Sequence, residues 1–208
     1  MSDEQQRINV FSKMRSQLLD DGYDEHQLCF TRCSQIVISV IFSVFAFMTA
    51  IKICGSSQFS SYLYSRKFAT LIALAAIVLA FIYLHEYLHA FGWSIVLKGG
   101  WSSVSVRLGR ITRKPFVILR ESMGIGAYIT GLLMPMLLTV AIPLISGSIR
   151  GGMFMFVAGI CAVPVCSDDF IILLNVLRLS VGSEKIRILI YPEKYGCILY
   201  RKSRSRPD

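Results

Sequence analysis

His85-Glu86-Tyr87-Leu88-His89 is the part of this chain best equipped for chemistry. Histidines four apart share one face of a helix, so both imidazoles can reach a single metal ion. Glu86 stands one step around from His85, within reach of a water that such an ion would activate. Zinc lowers the pKa of a coordinated water to about 7, and a glutamate beside it then serves as general base and proton shuttle. The pattern points to a zinc (Zn2+) hydrolytic centre with His85 and His89 as ligands and Glu86 as the base. On its own the signal is short, because five-residue patterns arise by chance.

The elements that must position these residues are membrane spans. Apolar residues make up 54% of the 208-residue chain and charged residues 17%, against about a quarter charged in ordinary globular domains. Mean hydropathy is +0.57. The apolar residues fall in long runs, and about 20 apolar residues in a helix cross the hydrocarbon of a bilayer. Four spans are expected, at roughly 35–54, 68–97, 125–145 and 152–177, with Pro135 and Pro143 inside the third and Pro164 inside the fourth. Prolines in spans are tolerated where neighbouring groups satisfy the freed carbonyls, often beside a cavity. The expected fold is an all-α membrane protein, a four-transmembrane-helix bundle forming a single domain over 1–208. The segment 1–33 is polar, so the first apolar run is expected to act as an uncleaved anchor.

Charge orients the bundle. Positive residues crowd the amino-terminal segment (Arg7, Lys13, Arg15, Arg32), the segment between spans two and three (Lys98, Arg107, Arg110, Arg113, Lys114, Arg120) and the tail after 177. Lys52, Arg66 and Lys67 flank the first loop, and Arg150 alone serves the loop after span three. The positive-inside rule then puts both termini and the middle segment in the cytoplasm. The net charge of +9 is thereby assigned to orientation and to anionic lipid headgroups, not to nucleic acid. Within the middle segment, Val104 to Leu108 alternates apolar and polar residues, and Phe116 to Leu119 is a second run of strand length. These read as a small cytoplasmic β-hairpin or as an ordinary basic loop. Trp93 and Trp101 fit an interfacial aromatic belt. The six cysteines contain no Cys-x-x-Cys pair, which excludes a zinc ribbon, and no structural disulfide is expected.

Zinc held by two histidines needs a third protein ligand. Across the four spans the only acidic residues are Glu86, Asp168 and Asp169, and ionisable groups within a membrane mark function by default. Spans two and four run in the same direction. His89 lies nine residues before Lys98, and Asp169 nine before Arg178. Both therefore sit at similar depth, about 13 Å from their cytoplasmic ends at about 1.5 Å per residue. Depth does not separate Asp168 from Asp169. The chain's three histidines are too few for a di-iron site built on several histidine boxes. A haem is excluded because ligands on one helical face cannot take opposite axial positions. The competing readings are a hydrogen-bonded structural network, a small transporter with an intramembrane His/Asp proton site, and a non-catalytic binding or regulatory module. Asp168 and Asp169 could also merely cap a helix break after Pro164.

His85-Glu86-x-x-His89 in the second of four spans, with a late Ser167-Asp168-Asp169-Phe170 stretch, resembles the small bacterial membrane zincin peptidases, which are similar in general plan to site-2 proteases. In that family the late motif looks like Gly-Asp followed by an apolar residue. Asp169-Phe170 matches it, which favours Asp169 as third ligand, while Asp168 stands where the family has glycine. The resemblance implies a zinc-dependent peptidase of the bacterial cytoplasmic membrane, acting on a membrane-protein or peptide substrate within or beside the bilayer.

Overall fold

The computed structural model describes residues 3–54, 67–109, 115–150, 152–180, 185–192 and 195–202. Arg66, Arg110, Arg113, Lys114, Lys194, Arg204 and Arg206, all basic, lie outside the described residues. The described chain is mostly helical: α1 (Asp3–Asp20), β1 (Tyr23–Phe30), α2 (Arg32–Cys54), α3 (Lys67–Val96), a short 3₁₀ turn, β2 (Val104–Leu108), β3 (Pro115–Leu119), α4 (Ile125–Pro135), a π-helical turn (Met136–Ala141), α5 (Ile142–Arg150), α6 (Met153–Ser180), β4 (Ile186–Ile190) and β5 (Tyr195–Lys202).

Among the described residues, four helical stretches are long and apolar enough to cross a membrane: Cys33–Lys52, Ile72–Val96, Ile125–Ile149 and Met153–Leu179. Their apolar side chains are not spent on the interior. Phe45 is 73% exposed and Phe68 82% exposed, values that suit hydrocarbon and not water. The chain reads as a multi-pass membrane protein. The third stretch is not one regular helix. Pro135 ends α4 and Pro143 lies at the start of α5, and between them the backbone widens into a π turn. A proline donates no backbone hydrogen bond, and such turns absorb the missing partner.

The all-α expectation is corrected. The β2–β3 hairpin is present, antiparallel with Val104 opposite Leu119 and Leu108 opposite Pro115. A second, three-stranded antiparallel sheet in the order β1-β5-β4 was not anticipated. Its strands come from segments read only as charged ends. Yet Ile186 and Ile188 are buried with Arg187 exposed between them, the period-2 pattern of a strand, and Leu189 is buried on the opposite face. β1 is largely polar and sits at the edge of its sheet. Gly196 on β5 has φ 132°, and a Cβ there would run into the carbonyl of Leu28 on β1, so only glycine fits this pairing.

The chain divides into two compact units. One comprises Met1–Arg32, Glu86–Leu133 and Asp169–Asp208, and the other Cys33–His85 and Met134–Asp168. The first holds both sheets. Its main core gathers Trp93, Met123, Tyr128, Val176, Ile188 and Leu199, all buried. α1 lays Phe11 and Leu18 on Leu189, Ile198 and Tyr200 in a smaller cluster of the same unit. The second unit is built from span segments, around Ala50, Leu74, Phe156 and Val157.

Candidate metal centre

α3 carries the motif, and its composition explains why it is a helix there. Ala, Leu and Ile dominate it, it contains no proline, and Gly92 is its one glycine. His85 and His89, four apart on this helix, present their rings to the same side. α6 brings the aspartates. It runs through Pro164 without a break, so Asp168 and Asp169 lie deep in a continuous helix and cap nothing. The helix-cap reading is thereby corrected.

The imidazole nitrogens of His85 and His89 and a carboxylate oxygen of Asp169 lie within 4.8 Å of one another. His89 Nε2 is 3.3 Å from Asp169 Oδ2. Two donors bonded at about 2.0–2.1 Å to one tetrahedral zinc stand about 3.3 Å apart, so this pair already has the spacing of a shared metal edge. Two imidazoles and a carboxylate also suit zinc chemically, as the three protein ligands of an open catalytic site. His89 and Asp169 are buried, while His85 and Glu86 are half-buried. Asp168 is engaged elsewhere, its Oδ2 accepting a 2.7 Å hydrogen bond from Gln35 of α2. Consecutive residues point about 100° apart around a helix, so only one of the two aspartates can face the histidines.

The family model described as "Putative zincin peptidase" matches residues 78–182. The chain belongs to this zincin peptidase family. The matched region runs from within α3 to just beyond α6 and includes His85, Glu86, His89, Asp168 and Asp169. The helix α1, the strands β1, β4 and β5 and the first span lie outside it. Comparisons with curated proteins and with solved structures returned no match. The zincin peptidase family implies zinc, and the three donors fit that metal.

The site also has supports that the motif does not announce. His89 Nδ1 lies 2.9 Å from the Gly131 carbonyl of α4. With Nδ1 donating to that carbonyl, Nε2, which faces Asp169, is the nitrogen that would bind a metal. The carbonyl is available because of Pro135, which lacks the N–H that would otherwise bond residue 131 in the helix. Trp93, one turn after His89, stacks on its ring at 5.2 Å with the planes 13° apart, and Trp93 Nε1 donates to the Tyr128 carbonyl at 3.4 Å. Trp93 is 3% exposed, which corrects its assignment to an interfacial belt. Trp101 is exposed.

Gly131 is required here because a Cβ would fall inside the Trp93 indole. Gly131→Ala is expected to push the indole off His89 and draw the carbonyl from Nδ1. Zinc affinity should fall roughly 10–100-fold, the usual cost of losing a partner behind a ligand. Chelator competition reads the loss, and Gly126→Ala is the control because nothing lies within 4 Å of a Cβ there. Equal affinity in the two variants would remove Gly131 from the site.

Arg7 is a further residue that the sequence showed only as part of a positive segment. Its guanidinium lies 5.2 Å from the centre of the Phe116 ring and donates to the Tyr191 carbonyl at 3.4 Å. Burial lowers its pKa from the ordinary value, while the negative charges of Glu86 and Glu4 pull the other way.

Proposed function

We propose that this chain is a zinc-dependent, membrane-embedded endopeptidase that hydrolyses peptide bonds of membrane or membrane-proximal proteins. The observation that carries the reading is the convergence of His85, His89 and Asp169 donors within 4.8 Å, beside Glu86 on the same helix as the histidines. His85, His89 and Asp169 hold the metal, and Glu86 is the general base. Zinc, when bound, supplies Lewis acidity and lowers the pKa of water to about 7. Glu86 takes the proton of the attacking water and later passes it to the departing amine. His89 stays oriented throughout by the Gly131 carbonyl and the Trp93 ring. Asp168 takes no part in the chemistry.

The segments rich in Lys and Arg support a topology with both termini and the β2–β3 hairpin on the cytoplasmic side of a bacterial membrane. The site then opens toward the cytoplasm, with lipid around the exposed apolar faces of the spans.

The test is the purified protein in detergent. Metal analysis should return about one zinc per chain, and an unstructured reporter peptide tethered to a membrane anchor should be cut only by the metal-loaded form. A preparation without zinc sinks the proposal. Zinc without cleavage moves the protein to the class of non-catalytic modules.

A further inference from the structure

The two histidines are not supported alike. His89 leans on a backbone carbonyl, whereas a thiol stands beside His85 Nδ1. Cys166 Sγ lies 3.9 Å from His85 Nδ1 and 3.6 Å from Thr139 Oγ1. Cys166 precedes Asp169 by three residues on α6, and is therefore on the same helical face. It is 3% exposed and Thr139 2% exposed. Thr139 belongs to the π turn of span three, and its hydroxyl donates to the Pro135 carbonyl at 2.7 Å.

These contacts have one consistent direction. The Thr139 hydroxyl proton is committed to Pro135, so its oxygen is left to accept. The Cys166 S–H can then donate to Thr139, and the sulfur lone pairs face His85. A thiol accepts as well as donates, so Nδ1–H of His85 completes the series. The proton then resides on Nδ1, and Nε2 carries the lone pair that a metal needs. Turns of π type inside helices occur frequently at functional sites, and this one places Thr139 where the series ends.

We propose that Cys166 is a positioning residue of the metal centre, holding His85 by Nδ1 in a relay that Thr139 and the Pro135 carbonyl anchor. This rests on the zinc-site reading above and extends it to residues that no motif marks. Cys166 is not itself a ligand in this arrangement. It does for His85 what the Gly131 carbonyl does for His89.

The experiment measures zinc affinity by chelator competition in detergent for the wild type, Cys166→Ser, Cys166→Val and Thr139→Val. Loss of an outer partner costs metal sites roughly 10–100-fold, and both valine variants should show a loss in that range. Cys166→Ser keeps a donor and an acceptor and should retain most of the affinity. The cobalt-loaded forms give a second readout, since a reoriented imidazole shifts the ligand-field spectrum of the valine variants even where a merely structural effect would not. Thr139→Val keeps the side-chain volume and serves if Cys166→Val fails to fold. Valine variants with wild-type affinity and spectrum overturn the proposal while leaving the zinc site intact. An intense sulfur-to-cobalt charge-transfer band in the wild type also overturns it, because Cys166 would then be a ligand. A wild type that binds no zinc fails the underlying reading, and the proposal with it.

Discussion

Asp169→Ala is expected to strip zinc from the purified protein, while Asp168→Ala keeps it. The carboxylate of Asp169 faces His89 Nε2 at 3.3 Å, whereas Asp168 is bound to Gln35 at 2.7 Å. Removing the proposed third ligand leaves two imidazoles, too few for a tight zinc site. Affinity should fall by more than the roughly 100-fold that loss of an outer partner costs. Asp169→Asn should behave like the alanine variant, since an amide oxygen carries no charge to offset that of the metal. Asp168→Asn keeps a side chain of the same shape beside Gln35 and should leave the metal in place. The pair is a sharp test because the residues are neighbours in sequence and at nearly the same depth. Should zinc follow Asp168 instead, the site geometry described above is wrong.

Sequence reading reached the depth of the aspartates and not their direction. Nine residues from His89 to Lys98, and nine from Asp169 to Arg178, place both groups at one level. A rotation of about 100° per residue decides which of two adjacent carboxylates faces the histidines, and that angle depends on how the helices pack. The motif on α3 was legible because it is local, and the spans because length and hydropathy are local too. The β2–β3 hairpin showed through its alternation at Val104 to Leu108. The three-stranded sheet did not, since β1 and β5 pair across most of the chain and their ends look like charged tails.

The supports around the candidate metal site were hidden for a different reason. Cys166, Thr139 and Trp93 are ordinary residues of apolar helices, and their roles come from what they face. One signal was nonetheless present. Pro135 stands four residues after Gly131, so a carbonyl is released from the helix at a known position. A released carbonyl within a membrane must find a donor, and here it finds His89 Nδ1. A proline inside a span can thus be read as a pointer to the residue four before it.

Glu86→Gln is expected to keep about one zinc per chain and to lose cleavage by roughly 10²–10⁴-fold, the range that a positioned acid–base group contributes. Glutamine has nearly the shape of glutamate, and Glu86 is not among the three converging donors, so the metal has no cause to leave. The amide cannot take a proton from water, so hydrolysis stalls while substrate still binds. Accordingly the loss should fall on kcat, with KM little changed. The same variant separates the rival readings. A binding module would show no activity to lose, and a transporter relying on a carboxylate for proton movement would lose transport without any change in peptide cleavage. Cleavage at the wild-type rate in the glutamine variant would mean that the base is another group. The peptidase assignment would then rest on the metal alone.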